Sequence, residues 1–269
     1  MSTSNICYFN GDLVPYDDLH IHVADLQIQR GYGIFDFFRS RKGSIPWLED
    51  YMDRLFTSLE LSGIEADLNR AQLFSIVQEL QERNDLPNGA FKVLLTGGYS
   101  DNLESQTGKA NLIILNRPWH GPGEKSHRQG VNLIRDHFIR PNPEIKTLYY
   151  FNSLRQQKKL RDYDAVDVLY HSETISETSR ANLFFVRGDE VITPASHILK
   201  GITRKRVLTL YPEIRVEDIE TGQLYDFDEI FISSTSRDIT PVVSVEGQQI
   251  GKGIPGPVTR EIQAALLKL

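Results

Sequence analysis

The stretch SETSRANLFF, residues 176–185, places a carboxylate, Glu177, a few residues before the apolar run Leu183–Val186. Arg180 and Asn182 lie between them. A short run of aromatic and branched side chains is typical of a buried strand, so an acid, a base and an amide collect within six residues where such a strand begins. A turn residue that caps the strand would explain Glu177 alone. An acid that serves a bound molecule would explain all three side chains, and the rest of the chain favours that interpretation.

Upstream of this stretch the chain alternates between strand-like and helix-like patterns. Asn10-Gly11 separates two β-rich pieces and predicts a hairpin. The aromatic segment IQRGYGIFDFFRSRKGSIPWL predicts a second strand pair with a turn at Lys42-Gly43. From Glu49 the apolar residues recur on one helical face until Gly63, and a second helix is predicted over Arg70–Asn84. AFKVLLTGG and KANLIILNR then predict central strands.

The segment PWHGPGEKSHRQ, 118–129, interrupts these patterns with proline, glycine and charge, which predicts a linker. Beyond it we predict the strands VNLIRDHFI, AVDVLYH, NLFFV, EVITP, EIFISSTS and ITPVVSVEG, and the helices LRQQKKLRDY, TRKRVLTLY and VTREIQAALLKL. The prediction is two α+β domains, residues 1–118 and 130–269, joined by a linker over 119–129.

The composition is that of an ordinary globular protein: 269 residues, 40% hydrophobic and 25% charged. A net charge of −6 argues against a nucleic acid or an anionic membrane as the main partner. No apolar run approaches the roughly 20 residues that span a bilayer, and the N-terminus lacks a signal-peptide pattern, so the cytoplasm is expected. The single cysteine, Cys7, is interpreted as a core residue.

Lys146 lies in PNPEIKTLYYFN, after a proline-rich loop and before an aromatic cluster. Partial desolvation in such a place makes an amine a nucleophile toward aldehydes. Taken alone, Lys146 could equally be a solvated surface lysine.

Three further segments could bind an anion such as a phosphate. In LKGITRKRV, 199–207, Gly201 and Thr203 lie at a predicted helix start, which offers free backbone N–H groups and a hydroxyl. Arg54 and the hydroxyl cluster Ser233–Ser236 are the others. Each by itself is more typical of a surface ion pair or a turn.

Together these features resemble the class IV aminotransferases, the pyridoxal-phosphate (PLP) enzymes of fold type IV. The matching segments are RGYGIFDFF (30–38), YMDRL (51–55), IKTL (145–148), ETSRANLFF (177–185), ILKGITR (198–204) and FISSTSRDITPV (231–242). They cover nearly the whole chain in the order of the family. The resemblance implies a two-domain α+β fold, with a small N-terminal α/β domain and a larger, β-rich C-terminal domain that binds PLP.

The resemblance also implies a role for each matching residue. Lys146 would form the Schiff base with PLP and move a proton between the substrate Cα and the cofactor C4′. Glu177 would pair with the pyridine nitrogen and keep it protonated, so that the ring withdraws electrons. The other implied cofactor ligands are Arg54, the N–H groups of Ile202 and Thr203, the Thr203 hydroxyl, Thr235 or Ser236, and Leu199 against a ring face. No metal is expected.

On the substrate side the sequence departs from the family. D-amino-acid transaminases of the best-known type bind the substrate carboxylate with an Arg-x-His pair, but the corresponding loop here, YSDNLESQ, has Asn102 and Glu104. Arg180 and Arg30 are predicted to replace that pair, because a guanidinium binds a carboxylate through two parallel hydrogen bonds. A salt bridge to Glu177 or Asp167 is the alternative for Arg180, and a surface or interface pairing is the alternative for Arg30.

Four more residues are predicted near the substrate. Phe35 and Tyr32 would shape the side-chain pocket, although core packing explains them equally well. Arg39 and Lys92 are weaker candidates for the carboxylate.

The segment KTLYYFNS keeps Asn152-Ser153 but lacks the glycine of the branched-chain enzymes, which favours a transaminase for D-amino acids. Branched-chain L-amino-acid aminotransferase and aminodeoxychorismate lyase are the enzymatic alternatives. A relative that only binds an aldehyde or a partner is the non-enzymatic one. By resemblance we expect a homodimer that acts on an amino acid and a 2-oxo acid, without nucleic-acid or membrane partners.

Overall fold

The computed structural model describes residues 5–269 and divides the chain into two compact units. Unit 1 contains the residues up to His120 together with Ile145–Tyr149, and unit 2 contains Gly121–Glu144 and Tyr150–Leu269. The segment 119–129, predicted as a linker, includes a helix in unit 2, and the segment around Lys146, predicted in the C-terminal domain, lies in unit 1. Within residues 5–269, we find no helix with the length and apolar character that crossing a membrane requires.

The described residues of unit 1 form an antiparallel sheet and three α-helices. Its elements are β1 (Ile6–Phe9), β2 (Asp12–Pro15), α1 (Leu26–Arg30), β3 (Gly33–Arg39), α2 (Leu48–Ser62), α3 (Arg70–Asn84), β4 (Gly89–Thr96) and β5 (Leu112–Pro118). The strands are ordered β2-β1-β5-β4-β3, so β3 forms one edge.

Local sequence signals explain most of unit 1. The hairpin between β1 and β2 turns at Asn10-Gly11, both with positive φ, as predicted. Helix α2 ends at Gly63, which adopts the left-handed conformation that glycine permits, and α3 spans the predicted residues. The second predicted strand pair is reduced to an isolated bridge between Arg41 and Ser44, across the predicted turn at Lys42-Gly43. The chain then enters α2, and β3 pairs with β4 instead.

Unit 2 is dominated by one large mixed sheet. Its elements are α4 (Glu124–Gln129), β6 (Val131–His137), α5 (Phe151–Leu154), α6 (Gln157–Asp162), β7 (Ala165–His171), β8 (Thr174–Thr178), β9 (Asn182–Arg187), β10 (Glu190–Thr193), α7 (Ile202–Leu210), β11 (Arg215–Val216), β12 (Ile219–Glu220), β13 (Glu229–Ser234), β14 (Asp238–Val245), β15 (Gln248–Gln249) and α8 (Pro257–Leu266). The strand order is β11-β10-β9-β13-β14-β6-β7-β8-β12, and β15 pairs with β14.

An additional pairing between β8 and β9 closes six of these strands into a barrel. The closing pair is Glu177 opposite Asn182, so the polar stretch that stood out in the sequence forms the seam of the barrel. The strand β9 is buried over Asn182–Val186, and the stacked rings of Phe184 and Phe231, 4.7 Å apart, fill the space beside it. Closure of the barrel therefore places Glu177 at a fixed position on a rigid framework.

Candidate active site

The segment around Lys146 is held by its backbone against the exposed edge of β3. The Phe35 N–H donates to the Lys146 carbonyl oxygen at 2.9 Å, and the Lys146 N–H donates to the Ser58 hydroxyl at 3.2 Å. The Leu148 N–H donates to the Gly33 carbonyl at 3.0 Å. Since both backbone groups of Lys146 are bonded, the start of its side chain is fixed.

The ammonium group of Lys146 lies 4.6 Å from the centroid of the Phe35 ring. The ammonium of Lys92 lies 4.9 Å from the same centroid. Each contact is within the range of a cation–π interaction. Burial lowers the pKa of Lys92, as expected for an amine that has lost part of its hydration. Phe35, predicted as a pocket wall, thus contacts the lysine predicted to be catalytic and a second amine.

Arg54 extends from α2 and forms a bidentate pair with Asp36 of β3. Its Nε and Nη2 donate to the two oxygens of Asp36 at 2.9 and 2.7 Å. The Asp36 side chain is almost completely buried, and Arg54 is 11% exposed. Sequence reasoning missed Asp36, because an acid within an aromatic strand gave no sign of its partner in a helix 18 residues away. The pair fixes the orientation of the Arg54 guanidinium.

The Glu177 carboxylate lies between a guanidinium and a backbone N–H group. Arg140 Nε donates to its Oε1 at 2.8 Å, and the Leu199 N–H donates to its Oε2, also at 2.8 Å. Both side chains are largely buried. Arg140 also donates to the Pro143 carbonyl at 2.6 Å. A cation and an N–H donor both favour the ionised carboxylate, so this arrangement supplies a fixed negative charge.

Asn182 connects this acid to the start of α7. Its Nδ2 donates to the Leu199 carbonyl at 2.7 Å, so Leu199 is bonded by Glu177 at its N–H and by Asn182 at its oxygen. A Cβ at Gly201 would lie 2.2 Å from Asn182 Oδ1, which explains the glycine. No described side chain caps the first turn of α7. The N–H groups of Ile202 and Thr203 there carry the partial positive charge of a helix N-terminus.

Comparison with known proteins gives this geometry a context. The family model "Amino-transferase class IV" matches residues 33–245. This chain belongs to the class IV aminotransferases. Its relatives include the D-alanine aminotransferase of Bacillus licheniformis, 29% identical over 96% of this chain and 94% of that protein. The branched-chain-amino-acid aminotransferase of Escherichia coli K12 is 30% identical over 97% and 92%. A crystal structure of the Escherichia coli branched-chain enzyme superposes with a TM-score of 0.91 at 26% identity, covering 99% of this chain and 94% of that one.

The family assignment confirms three predictions from the sequence. The chain has the two-domain α+β architecture of fold type IV. It is a transaminase of the EC 2.6.1 type, which acts on an amino acid and a 2-oxo acid. Its cofactor is PLP, as for the class IV aminotransferases in general.

The residues present fit that cofactor. PLP carries an aldehyde, a ring nitrogen and a phosphate, and the chain offers an amine at Lys146, a carboxylate at Glu177 and an uncapped helix start at α7. Thr203 is buried at that helix start. Lys146 and Arg54 belong to unit 1, whereas the acid and the helix start belong to unit 2.

The hydroxyl cluster forms the turn between β13 and β14. The hydroxyls of Ser234 and Ser236 lie 3.3 Å apart, and the Arg237 N–H donates to the Ser234 hydroxyl at 3.2 Å. Thr235 and Ser236, the predicted phosphate ligands, are half-buried in this turn.

Arg180 lies in the turn between β8 and β9 and is half-exposed. Its Nη2 donates to the Val166 carbonyl at 2.7 Å, and its Nε is 3.7 Å from Asp167 Oδ2. The salt bridge to Asp167, which was the alternative interpretation from the sequence, therefore accounts for one edge of the guanidinium. Asp167 is completely buried, within the strand-like run AVDVLYH.

In unit 1, Arg30 is the last residue of α1 and is exposed, with Nη1 donating to the Gln29 carbonyl at 3.3 Å.

The Tyr32 hydroxyl donates to the Ser62 carbonyl at 2.9 Å, at the end of α2. Burial raises the pKa of Tyr32. Its hydroxyl thus has a structural partner, which leaves its ring as the part that could shape a pocket.

Tyr150 is a neighbour of the Glu177–Arg140 pair that sequence reasoning missed. It precedes α5, four residues after Lys146. Burial raises the pKa of Tyr150 to about 12, with opposing contributions from the charges of Arg140, Asp167, Arg180 and Glu177. Its hydroxyl therefore lies within the electrostatic field of the Glu177 pair and of the Arg180 turn. The aromatic pair Tyr149-Tyr150 was the only signal in the sequence.

Proposed function

We propose that this aminotransferase prefers D-amino acids and the 2-oxo acids derived from them. The observation that carries the proposal is the half-exposed guanidinium of Arg180, held along one edge by Val166 and Asp167. The loop that holds the carboxylate-binding pair in D-amino-acid transaminases of the best-known type has no cation here, and Asn102 accepts hydrogen bonds from Ser100 and from the N–H groups of Glu104 and Ser105. Because that loop is engaged with itself, we assign the substrate carboxylate to an arginine elsewhere in the chain.

Lys146 is proposed as the catalytic base and the residue that carries PLP. Its amine would take a proton from the substrate Cα and return it at the cofactor C4′. When bound, PLP supplies the electron sink for the negative charge that develops at Cα. The backbone bonds of Lys146 to Phe35 and Ser58 keep the amine within reach through both proton transfers.

Glu177 is proposed to hold a proton on the ring nitrogen. Arg140 and the Leu199 N–H keep its carboxylate in one orientation, so that it need not reorganise as charge develops. Leu199, tied to both Glu177 and Asn182, would lie against one ring face. The phosphate ligands are proposed to be the N–H groups of Ile202 and Thr203, the Thr203 hydroxyl, Arg54, and Thr235 or Ser236.

Arg180 and Arg30 are proposed to bind the substrate carboxylate, and Phe35 with Tyr32 to shape the space for the substrate side chain. A guanidinium that uses only one edge for structural contacts, as Arg180 does, retains donors for a carboxylate. Arg30 is exposed at the end of a short helix. In a homodimer, such a residue could contribute to the site of the partner subunit.

A panel of amino donors tests the preference. D-Ala, D-Glu, L-Leu and L-Val are compared with 2-oxoglutarate or pyruvate as acceptor, and we expect the highest kcat/KM with a D-amino acid. A higher value with L-Leu or L-Val would establish the branched-chain alternative, which the 30% identity to the Escherichia coli branched-chain enzyme supports. Release of pyruvate from aminodeoxychorismate would instead establish the lyase.

The role of Lys146 has a separate test that does not depend on the donor. Borohydride reduction of the loaded enzyme followed by peptide mapping should place the cofactor on Lys146. The matched control is Lys92→Met, which removes the other amine beside Phe35 and should still be labelled at Lys146. Labelling at any other residue would contradict the assignment.

We also propose that the enzyme is a cytoplasmic homodimer. Phe151 and Leu154, on one face of α5, are 66% and 61% exposed. Large apolar side chains left in water near one another favour burial against a second subunit. The single cysteine, Cys7, is buried and free, which suits a reducing compartment. Light scattering coupled to size exclusion should give twice the mass of the chain, and Phe151→Asp should shift it toward the monomer.

A further inference from the structure

Arg237 lies in the turn between β13 and β14, close to the turn that carries Arg180. The strand register pairs Ser233 of β13 with Asn182 of β9, and Ser234 with Asp238 of β14. Two tight turns, 178–181 and 235–237, therefore lie beside each other at the same end of neighbouring strands. Each of them presents an arginine.

Asp167 lies beneath these turns, and its oxygens are already occupied. Oδ1 accepts from the Val168 N–H at 2.8 Å and from the Ser179 hydroxyl, and Oδ2 accepts from the Thr178 hydroxyl at 2.9 Å. Arg180 is its ion-pair partner at 3.7 Å. A carboxylate with these four contacts has little capacity left for a second guanidinium.

Arg237 is half-buried, and its guanidinium forms no hydrogen bond or ion pair with residues 5–269. Burial lowers its pKa, while the charge of Asp167 opposes that shift and the charge of Arg180 reinforces it. A partly desolvated cation is costly when it has no counter-ion. Glu177 cannot supply the missing charge without leaving Arg140 and Leu199.

The local charges are therefore unbalanced by one positive unit. Two guanidiniums, Arg180 and Arg237, face one buried carboxylate, Asp167, which is saturated with hydrogen bonds. A single bound carboxylate would balance the charge and give both arginines a partner. The substrates of a transaminase always carry at least one carboxylate.

We propose that Arg237 acts with Arg180 as a two-guanidinium receptor for a carboxylate group of the substrate. The proposal deepens the proposed function and rests on its assignment of Arg180. The carboxylate could be the one on Cα, which every substrate has, or the second carboxylate of an acidic substrate such as glutamate. Both sources share the same chemistry, and kinetics distinguishes them.

The test uses Arg237→Gln and Arg237→Lys in the PLP-loaded enzyme, assayed with whichever donors the wild type transaminates. Loss of a charge-assisted hydrogen bond should raise the substrate KM about tenfold or more in Arg237→Gln, with kcat changed less than threefold and partial rescue in Arg237→Lys. Equal increases for a monocarboxylic and a dicarboxylic donor identify the Cα carboxylate, whereas an increase only for the dicarboxylic donor identifies the side-chain carboxylate. The matched control is Arg128→Gln, an exposed arginine paired with Glu124.

A second measurement separates this role from binding of the cofactor phosphate, because Thr235 and Ser236 precede Arg237. Absorbance titration of the apoenzyme with PLP should give the same Kd for wild type and Arg237→Gln, while inhibition by glutarate or propionate should weaken in the variant. Weakened PLP binding with an unchanged KM would overturn the proposal, as would an unchanged KM and unchanged inhibition. A thermal melt that is unaltered or raised is expected, since the substitution removes an unpaired cation. These outcomes do not depend on whether D- or L-amino acids are preferred, so the two proposals fail separately.

Discussion

Both units contain a buried arginine–carboxylate pair, and the two pairs divide their hydrogen bonds differently. Asp36 accepts from the Arg54 guanidinium with both oxygens, and its Oδ1 also accepts from the Phe37 N–H. Glu177 accepts from Arg140 with one oxygen and from the Leu199 N–H with the other. In the first pair the acid orients the arginine, whereas in the second the arginine and the loop orient the acid. The residue types are alike, so the distribution of donors is what separates the supporting carboxylate from the one proposed to act on a ligand.

Removal of Asp36 should give the largest effect. Asp36→Ala leaves the mostly buried Arg54 without its counter-ion, and we expect a loss of about 3–5 kcal/mol in the free energy of unfolding. Urea denaturation measures it. Asp53→Ala is the matched control, because the Asp53–Arg70 pair is exposed on both sides and should change stability by less than about 1 kcal/mol. Equal losses of unfolding free energy in the two variants would show that the buried Asp36–Arg54 pair contributes no more to stability than the exposed pair.

The positions of these residues along the chain show which features the sequence could predict. Glu177, Lys146 and the Gly201–Thr203 helix start were predicted from local motifs, because each motif is contiguous. Arg140 lies 37 residues before Glu177 and could not be recognised as its partner. Their meeting depends on the neighbouring positions of β6, β7 and β8 in the sheet, which no local period encodes.

The same distinction holds for the fold. Helices α2 and α3 follow from a helical spacing of apolar residues and from the end signal at Gly63, which act within a few residues. The attachment of Ile145–Tyr149 to the edge of β3 joins segments more than 100 residues apart. Its short, proline-flanked sequence resembles a loop, so the assignment of Lys146 to unit 1 could not be predicted.

Glu177→Gln tests the other half of the comparison, and its main effect should be on catalysis. The amide keeps the shape of the acid but loses the charge, so we expect kcat to fall on the order of 10²–10³-fold, typical of removing one preorganised electrostatic contact. Stopped-flow half-reactions measure the chemical step directly. A change in stability as large as that of Asp36→Ala, with kcat nearly unchanged, would reverse the roles assigned to the two acids.

Gly201→Ala tests a feature that distinguishes the Glu177–Arg140 pair from the Asp36–Arg54 pair. Glu177 accepts a hydrogen bond from Leu199, in the loop that leads into α7. The added Cβ would meet Asn182 Oδ1 at 2.2 Å, which should displace the Leu199–Gly201 loop and cost about 1–3 kcal/mol in unfolding free energy. We also expect a higher Kd for PLP in an absorbance titration. Gly222→Ala is the control, since nothing lies within 4 Å of its Cβ position. Similar Kd values for the two variants would indicate that the loop does not position the helix start.

The smallest effect concerns Tyr150, whose hydroxyl experiences the charges of both Arg140 and Glu177. Its pKa is raised from about 10 in the unfolded chain to about 12 in the fold, so above pH 10 the unfolded state loses the proton first. The folded state then binds more protons than the unfolded state, and stability falls as the pH rises, by about 1 kcal/mol between pH 10 and 11. Tyr150→Phe lacks this contribution, so its unfolding free energy, measured in urea at a series of pH values, should decline less steeply than that of the wild type. Parallel curves for the two proteins would mean that burial does not raise the pKa of the Tyr150 phenol. A shallower decline in the variant would show that burial keeps this phenol protonated in the folded protein, against the opposing charge of Arg140.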